Sequence, residues 1–189
     1  MIVVEGPDGS GKSTLVNLLK AELGVGVAPR VVSKDAEAMV DLRGWVDHNL
    51  DTGLVPTIFD RHRLISETIY GPILRDDAEP GFDQLSWVAP RMRRFYDLKP
   101  FIIYCLPPLS VVLENLKGDP DNIAVVDRAE RIYQAYVSRI ALDITYAPRT
   151  PVVWDYTNSL RMRSGHPVFM SNLKTFTNHL LTQEMETTW

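Results

Sequence analysis

The sequence contains almost no cysteine and no long hydrophobic run. Its single cysteine, Cys105, excludes both a disulfide framework and a cysteine-based zinc site, and it fits a reducing cytoplasm. No stretch approaches the roughly eighteen apolar residues of a membrane span, so we expect no membrane association. Met1 leads directly into an apolar run without a basic segment or a cleavage site, which predicts an unprocessed cytoplasmic protein.

The sequence also has few histidines and a small net charge, and neither indicates a function. The four histidines form no metal-binding spacing, and no serine, histidine and aspartate pattern indicates a hydrolase. The net charge of −4 gives no overall basic surface for long duplex DNA. Internal repeats and flexible linkers are missing as well, so residues 1–189 are expected to form one domain.

Short apolar runs alternate with longer segments of helical period. Four of these runs predict strands: Met1–Val4, Val55–Phe59, Phe101–Leu106 and Val152–Trp154. A fifth, weaker strand is expected within Val25–Ser33. Helical periodicity begins near Leu15, Leu42, Leu109, Ile132 and Phe169. This alternation predicts a three-layer α/β fold in which helices flank a five-stranded parallel sheet. Ligands of such sheets bind at the carboxyl ends of the strands.

The first strand is followed by a complete phosphate-loop motif, GPDGSGKS, from Gly6 to Ser13. Its glycines allow backbone N–H groups to surround an anion at a helix N-terminus, which indicates a P-loop NTPase fold that binds ATP. Lys12 is expected to reach the β- and γ-phosphates, and Ser13 to bind Mg²⁺. The residues expected to bind the donor nucleotide are Gly9, Ser10, Gly11, Lys12, Ser13 and Thr14.

A second chemical signal, Asp60-Arg61-His62, follows the strand that ends near Phe59. An aspartate at this edge can hold Mg²⁺ or orient an acceptor, and an arginine can bind a second phosphate through two parallel hydrogen bonds. The alternative is an Asp-Arg pair on the surface that caps the next helix.

The sequence VVEGPDGSGKSTL, followed downstream by Asp-Arg-His, resembles the thymidylate kinase family of P-loop nucleotide kinases, including versions carried by bacteriophages. The resemblance implies that Asp60 and Arg61 bind the metal environment and the acceptor phosphate, and that Asp8 lies near the acceptor sugar. It also implies a mobile lid, a homodimer as in related kinases and, for a viral protein, a location in the host cytoplasm. The stretch after Asp-Arg-His departs from the family, because Ser66 and Tyr70 are each displaced by one residue.

The lid is expected at about residues 115–130, where the family carries an arginine that stabilises the transferring group. Arg128 is our first choice for that role and Arg131 the second, although either can form an ordinary surface ion pair on a helix. Asp127 and Glu130 predict a capping pair at the start of the following helix. Arg91 and Arg94, in a segment rich in aromatic residues, are candidate ligands of the acceptor phosphate or structural residues.

These observations lead us to expect a phosphotransferase that uses ATP and Mg²⁺ to convert a deoxynucleoside monophosphate into its diphosphate. The acceptor is then a small nucleotide, and Lys12, Asp60, Arg61 and Arg128 are the catalytic candidates. One alternative is a kinase of a hydroxyl acceptor, which is either a free deoxynucleoside or a hydroxymethylated base in viral DNA, with Asp60 as general base. Another is a nucleotide-binding switch or assembly ATPase.

Overall fold

The computed structural model describes residues 1–28, 36–52, 57–74, 85–117, 123–157 and 168–170, and its six strands form a single parallel sheet. The strands are β1 (Ile2–Glu5), β2 (Gly26–Val27), β3 (Thr57–Asp60), β4 (Phe101–Cys105), β5 (Val152–Trp154) and β6 (Val168–Met170). Their order across the sheet is β2-β3-β1-β4-β5-β6. The five-stranded parallel sheet predicted from the sequence is therefore confirmed, in the order β2-β3-β1-β4-β5.

The sixth strand corrects one element of the prediction. The apolar residues from Phe169 onward predict a helix, whereas Val168–Met170 pairs in parallel with β5. A short apolar run fits a helix and a strand equally well, and here pairing with β5 decides the outcome. The rest of the predicted helix, from residue 171, lies outside the described residues.

Seven helices connect the described strands. They are α1 (Lys12–Leu23), α2 (Ala36–Thr52), α3 (Arg63–Leu74), α4 (Leu85–Asp97), α5 (Leu109–Lys117), α6 (Ile123–Val126) and α7 (Ala129–Tyr146). The helical pattern of the sequence predicts α1, α2, α5 and α7 but not α3. Nearly every side chain of α3 is buried, including the polar Arg63, Ser66 and Glu67, so its sequence lacks the separate polar face that marks a surface helix.

Hydrophobic cores cover both faces of the sheet. Val3 belongs to one core, together with Tyr104 of β4, and the next residue, Val4, belongs to the other, together with Ile103. Successive side chains of a strand point to opposite faces, so strands buried on both sides lack the polar alternation of a surface sheet. Packing on both faces gives the three layers that the sequence predicts.

The region around the predicted lid is described in part. Helix α5 ends at Lys117, and α6 lies between residues 123 and 126, while residues 118–122 fall outside the described part. The predicted Asp127–Glu130 cap is wrong, because the cap residue of α7 is Arg128 and no side chain bonds to that helix end. None of the described helices has the length and apolar character needed to cross a membrane.

Candidate active site

The phosphate loop follows β1 at the carboxyl edge of the sheet and leads into α1. Gly9 and Gly11 have φ angles of 75° and 83°, in the left-handed region that favours glycine. A Cβ on Gly9 would come within 2.9 Å of the Val112 carbonyl oxygen, so α5 leaves no room for a side chain there. The loop therefore has the glycines that its conformation requires, and it rests against α5 (Leu109–Lys117).

Lys12 is the first residue of α1 and is buried. Its Nζ donates a hydrogen bond of 2.6 Å to the Pro7 carbonyl oxygen, which folds the side chain back over the loop. Burial, helped by the nearby Arg61 charge, lowers the pKa of Lys12 to about 7. A phosphate beside Lys12 would restore the charged form, because a negative charge favours the ammonium.

The loop hydroxyls differ in their surroundings. The Ser10 Oγ is buried and has no hydrogen-bond partner among the described residues, while Ser13 and Thr14 are exposed at the start of α1. Ser13 is thus accessible to a metal ion bound with phosphate. Among the described residues, no group of three or more histidine, cysteine, aspartate or glutamate side chains is arranged to hold a metal. A metal here would depend on oxygens of the nucleotide and of water.

Arg61 lies at the centre of a buried polar cluster beside the loop. Its Nη2 donates to the Asp8 Oδ1 at 2.5 Å and to the Tyr70 hydroxyl at 2.7 Å. The Tyr70 hydroxyl donates in turn to the Asp8 Oδ2 at 3.0 Å, and the Asp8 N–H donates to Tyr70 at 3.1 Å. The structure thus brings together Asp8 and Arg61, two residues that the sequence predicts for the acceptor, and adds Tyr70.

Asp8 and Arg61 differ in how fully their polar atoms are paired. Burial alone would raise the pKa of Asp8, but the charges of Arg61 and Lys12 and the hydrogen bonds from Arg61 and Tyr70 together outweigh it, so the pKa is lowered and Asp8 is ionised. The Arg61 Nε is buried and finds no partner within the described part of the chain. Arg61 also adopts a φ of 67°, which is uncommon for a residue other than glycine. Its backbone is therefore held in a strained conformation at the candidate site.

Asp60 ends β3 next to Arg61 and is half-buried. Its charge is close enough to Lys12 to favour the ammonium form and so to oppose the lowering of the Lys12 pKa. The carboxylate therefore lies on the donor side of the cluster, where its predicted metal or general-base role would be exercised. That role stays a prediction.

Glu5 and His62 form a second buried layer beneath the cluster. The Glu5 Oε1 accepts the His62 N–H at 2.8 Å, and the Oε2 accepts the Tyr136 hydroxyl of α7 at 3.0 Å. Burial raises the pKa of Glu5 to about 7 and lowers that of His62 to about 3. Sequence reasoning missed Glu5 and Tyr136. A carboxylate at the end of an apolar strand is a signal for the first, while nothing in the sequence marks the second.

Three of the other predicted arginines, Arg91, Arg94 and Arg128, bond to groups within the protein. Arg91 forms two hydrogen bonds with Asp47, of 2.7 and 2.8 Å, and stacks on Trp87. Arg94 pairs with Asp51, so both arginines join α4 to α2. Arg128 donates to the Leu74 carbonyl oxygen at 3.0 Å and ties the start of α7 to the end of α3. Their roles in binding phosphate stay predictions, and Arg61 is the candidate placed beside the loop.

The loop also contacts two residues that the sequence did not single out. The Asn115 Nδ2 of α5 donates to the Gly9 carbonyl oxygen at 2.7 Å and to the Tyr156 hydroxyl at 2.9 Å. The Tyr156 ring covers Gly11, where a Cβ would come within 3.0 Å of it. The segment that follows β5 thus contacts the phosphate loop.

The chain is similar to known proteins in sequence and in fold. No protein-family model matches the chain. It is similar to a protein of Saccharolobus solfataricus named probable thymidylate kinase 1, with 28% identity over 140 residues, which span 65% of this chain and 72% of that protein.

Two solved structures share the fold over essentially the whole chain. The YorR protein of Bacillus subtilis, in complex with phosphorylated GDP, has a TM-score of 0.65 at 18% identity, with 100% of this chain and 99% of that chain covered. A deoxyadenosine kinase from M. mycoides, with dCMP and dCDP bound, has a TM-score of 0.60 at 16% identity, with 98% of each chain covered. The chain is thus similar in sequence to a probable thymidylate kinase and shares the fold of these two structures, in keeping with its phosphate loop and its Asp60-Arg61 turn.

Proposed function

We propose that the protein transfers the γ-phosphoryl group of ATP to a deoxynucleoside monophosphate and forms the diphosphate. The observation that carries this proposal is the buried Arg61 guanidinium beside the phosphate loop, whose Nε has no partner among the described residues. An arginine of this kind is suited to a phosphate oxygen, whereas a neutral nucleoside would leave it without an anionic ligand.

The donor side would be held by residues Gly9 to Thr14. The buried, unpaired Ser10 hydroxyl and the cradle around Gly9 fit a bound phosphate. Lys12 would exchange its hydrogen bond with Pro7 for the β- and γ-phosphate oxygens, and Ser13 with Asp60 would hold Mg²⁺. When bound, Mg²⁺ would neutralise charge on the phosphate oxygens. The protein itself would orient the donor and exclude water around it.

A monophosphate acceptor fits these residues because it needs cations and no general base. The second pKa of a phosphate monoester is about 6, so its attacking oxygen is already ionised at neutral pH. Arg61 would bind and orient the acceptor phosphate, and Asp8 would face the sugar next to it. The Asp8 carboxylate now on Arg61 occupies the place of an anion, and an incoming phosphate would take over part of that contact.

A lid at about residues 115–130 would complete this single kinase domain. Arg128 belongs to that segment, caps the start of α7 and contacts α3 through the Leu74 carbonyl oxygen. Closure would bring it toward the transferring group and exclude water. Arg91 and Arg94 would contribute only if they left Asp47 and Asp51.

A hydroxyl acceptor is the second candidate, and Asp60 favours it. This half-buried carboxylate lies at the carboxyl edge beside the donor site, where a general base for a deoxynucleoside hydroxyl would be needed. The similarity of the fold to a deoxyadenosine kinase supports the same candidate. DNA with a hydroxymethylated base belongs to this hydroxyl-acceptor class as well.

The experiment is an acceptor screen with identification of the products. The protein is incubated with ATP and Mg²⁺ and with deoxynucleoside monophosphates, free deoxynucleosides or hydroxymethylated DNA, and the products are identified by mass spectrometry. We expect a diphosphate from one or more monophosphates. Transfer to hydroxyls alone would replace the proposal by the second candidate, and no transfer to any acceptor would favour a nucleotide-binding switch.

A further inference from the structure

Glu5 is a buried carboxylate that joins three parts of the molecule and has no direct access to a substrate. It ends β1, its Oε1 accepts the His62 N–H, and its Oε2 accepts the Tyr136 hydroxyl. From these contacts we infer that Glu5 is a positioning residue, which fixes the Arg61 turn from beneath and connects that turn to α7. The inference deepens the proposed function and rests on it, since Arg61 is the proposed acceptor ligand.

The Arg61 turn depends on two hydrogen bonds to β1. The Arg61 N–H donates to the Val4 carbonyl oxygen at 2.9 Å, and the next N–H, that of His62, donates to Glu5 at 2.8 Å. Between these anchors Arg61 adopts its left-handed φ of 67°. A strained conformation persists only where its surroundings determine it, and the Glu5 carboxylate supplies one of the two anchors. Loss of this anchor would let the turn relax and move the guanidinium.

Tyr136 extends the connection to the helix that follows the lid. It lies on α7, which begins immediately after Arg128, and its ring packs against Tyr70 at a centroid distance of 6.2 Å. Tyr70 in turn bonds Arg61 and Asp8. The helix that would carry lid movement therefore contacts the acceptor cluster twice, through Glu5 and through Tyr70.

The Glu5 carboxylate interacts electrostatically with groups from the elements that surround it. Arg61 and the His62 N–H come from the turn, Lys12 from α1, Tyr136 from α7 and Tyr70 from α3. Tyr104 and Cys105 of β4 also lie within electrostatic reach. Burial raises the pKa of Glu5 to about 7, so the positioning form, an ionised carboxylate that accepts two hydrogen bonds, is populated above neutral pH.

The test uses Glu5→Gln and Tyr136→Phe, with Tyr104→Phe as the matched control. Tyr104 is also fully buried and its ring also packs against Tyr136, but its hydroxyl donates to Asp143, a buried carboxylate of α7, instead of to Glu5. The first readout is hydrogen exchange of the segment 57–66 in the absence of substrate. We expect exchange about tenfold faster in Glu5→Gln and Tyr136→Phe, and no change in Tyr104→Phe.

The second readout is the steady-state rate with ATP and the acceptor found in the screen. We expect kcat to fall about tenfold in both test variants, with the KM for ATP changed less than about twofold, because the donor loop keeps its own contacts. The kcat of the double variant should fall no further than that of the more impaired single variant, since both changes break the same connection. The ratio of wild-type to Glu5→Gln kcat should rise between pH 5.5 and pH 8.

The two readouts separate failure of this inference from failure of the proposed function. Faster exchange in both test variants, without phosphoryl transfer by the wild type, would support Glu5 as the anchor and reject the kinase assignment. Wild-type transfer with unchanged exchange and unchanged kcat in both test variants would overturn the inference. An equal loss in Tyr104→Phe would overturn it too, because the effect would then be one of general packing.

Discussion

Two groups of arginines meet carboxylates in this molecule, and their settings differ. Arg61 is buried at the carboxyl edge of the sheet, on a strained turn, and its partner Asp8 belongs to the phosphate loop. Arg91 and Arg94 lie on α4 and pair with Asp47 and Asp51 of α2, where the side chains are more exposed. The same residue type thus serves a candidate site in one region and helix packing in the other. The sequence predicts all three arginines as candidate ligands of the acceptor phosphate.

The largest effect should come from Lys12, at the edge of the sheet. Lys12→Ala removes the cation expected on the β- and γ-phosphates, and we expect kcat to fall by about a thousandfold. Lys20→Ala, on the exposed side of the same helix, is the control and should change kcat less than about twofold. Near-native turnover by Lys12→Ala would remove the phosphate loop from the mechanism.

Glu5→Gln should stabilise the protein at alkaline pH while it impairs turnover. The pKa of Glu5 is raised from 4.5 to about 7, so the folded state binds a proton that the unfolded state has lost in this range. Stability from this group is present below pH 4.5 and is lost as pH rises through 7, by up to about 3 kcal/mol. We expect Glu5→Gln to match the wild type at pH 4.5 and to exceed its free energy of unfolding at pH 8.

Urea denaturation at the two pH values measures this difference. A wild-type protein that is more stable than Glu5→Gln at pH 8 would show that ionised Glu5 contributes net stability. That result would give the Glu5 contacts a role in stabilising the fold rather than in positioning the proposed site.

Arg128→Ala should have an intermediate effect on turnover. If Arg128 supplies the lid cation, its removal should lower kcat about tenfold and leave the KM for the acceptor nearly unchanged, because the contact would form only in the closed state. Arg131→Ala, three residues further along α7 and exposed, tests the second candidate for the same role. Equal and small effects of the two variants would reject both arginines as the lid cation.

The smallest catalytic effect is expected between α2 and α4. Arg91→Ala breaks the pair with Asp47 and should cost about 1 kcal/mol of stability, while kcat/KM changes less than about threefold. Thermal unfolding and steady-state kinetics of one preparation measure both. A fall of a hundredfold in kcat/KM, with stability unchanged, would move Arg91 to the active site and erase the contrast with Arg61.

Most of the fold could be predicted from local patterns, because buried parallel strands and amphipathic helices leave periodic signals. Helix α3 left none, since its residues are buried on nearly all sides, and β6 was too short to be told from a helix. The phosphate loop and Arg61 could be predicted because their chemistry depends on residues close in sequence. The contacts of Glu5 with Tyr136 could not, because they join residues 131 positions apart.

The most direct test of the central claim compares Arg61→Ala on two acceptors. Wild type and variant are assayed for kcat/KM with a deoxynucleoside monophosphate and with the corresponding free deoxynucleoside, at fixed ATP and Mg²⁺. We predict a loss of about a hundredfold with the monophosphate, and a loss below about tenfold for any transfer to the nucleoside. A small and equal loss with both acceptors would contradict the account, because Arg61 would then bind no acceptor phosphate.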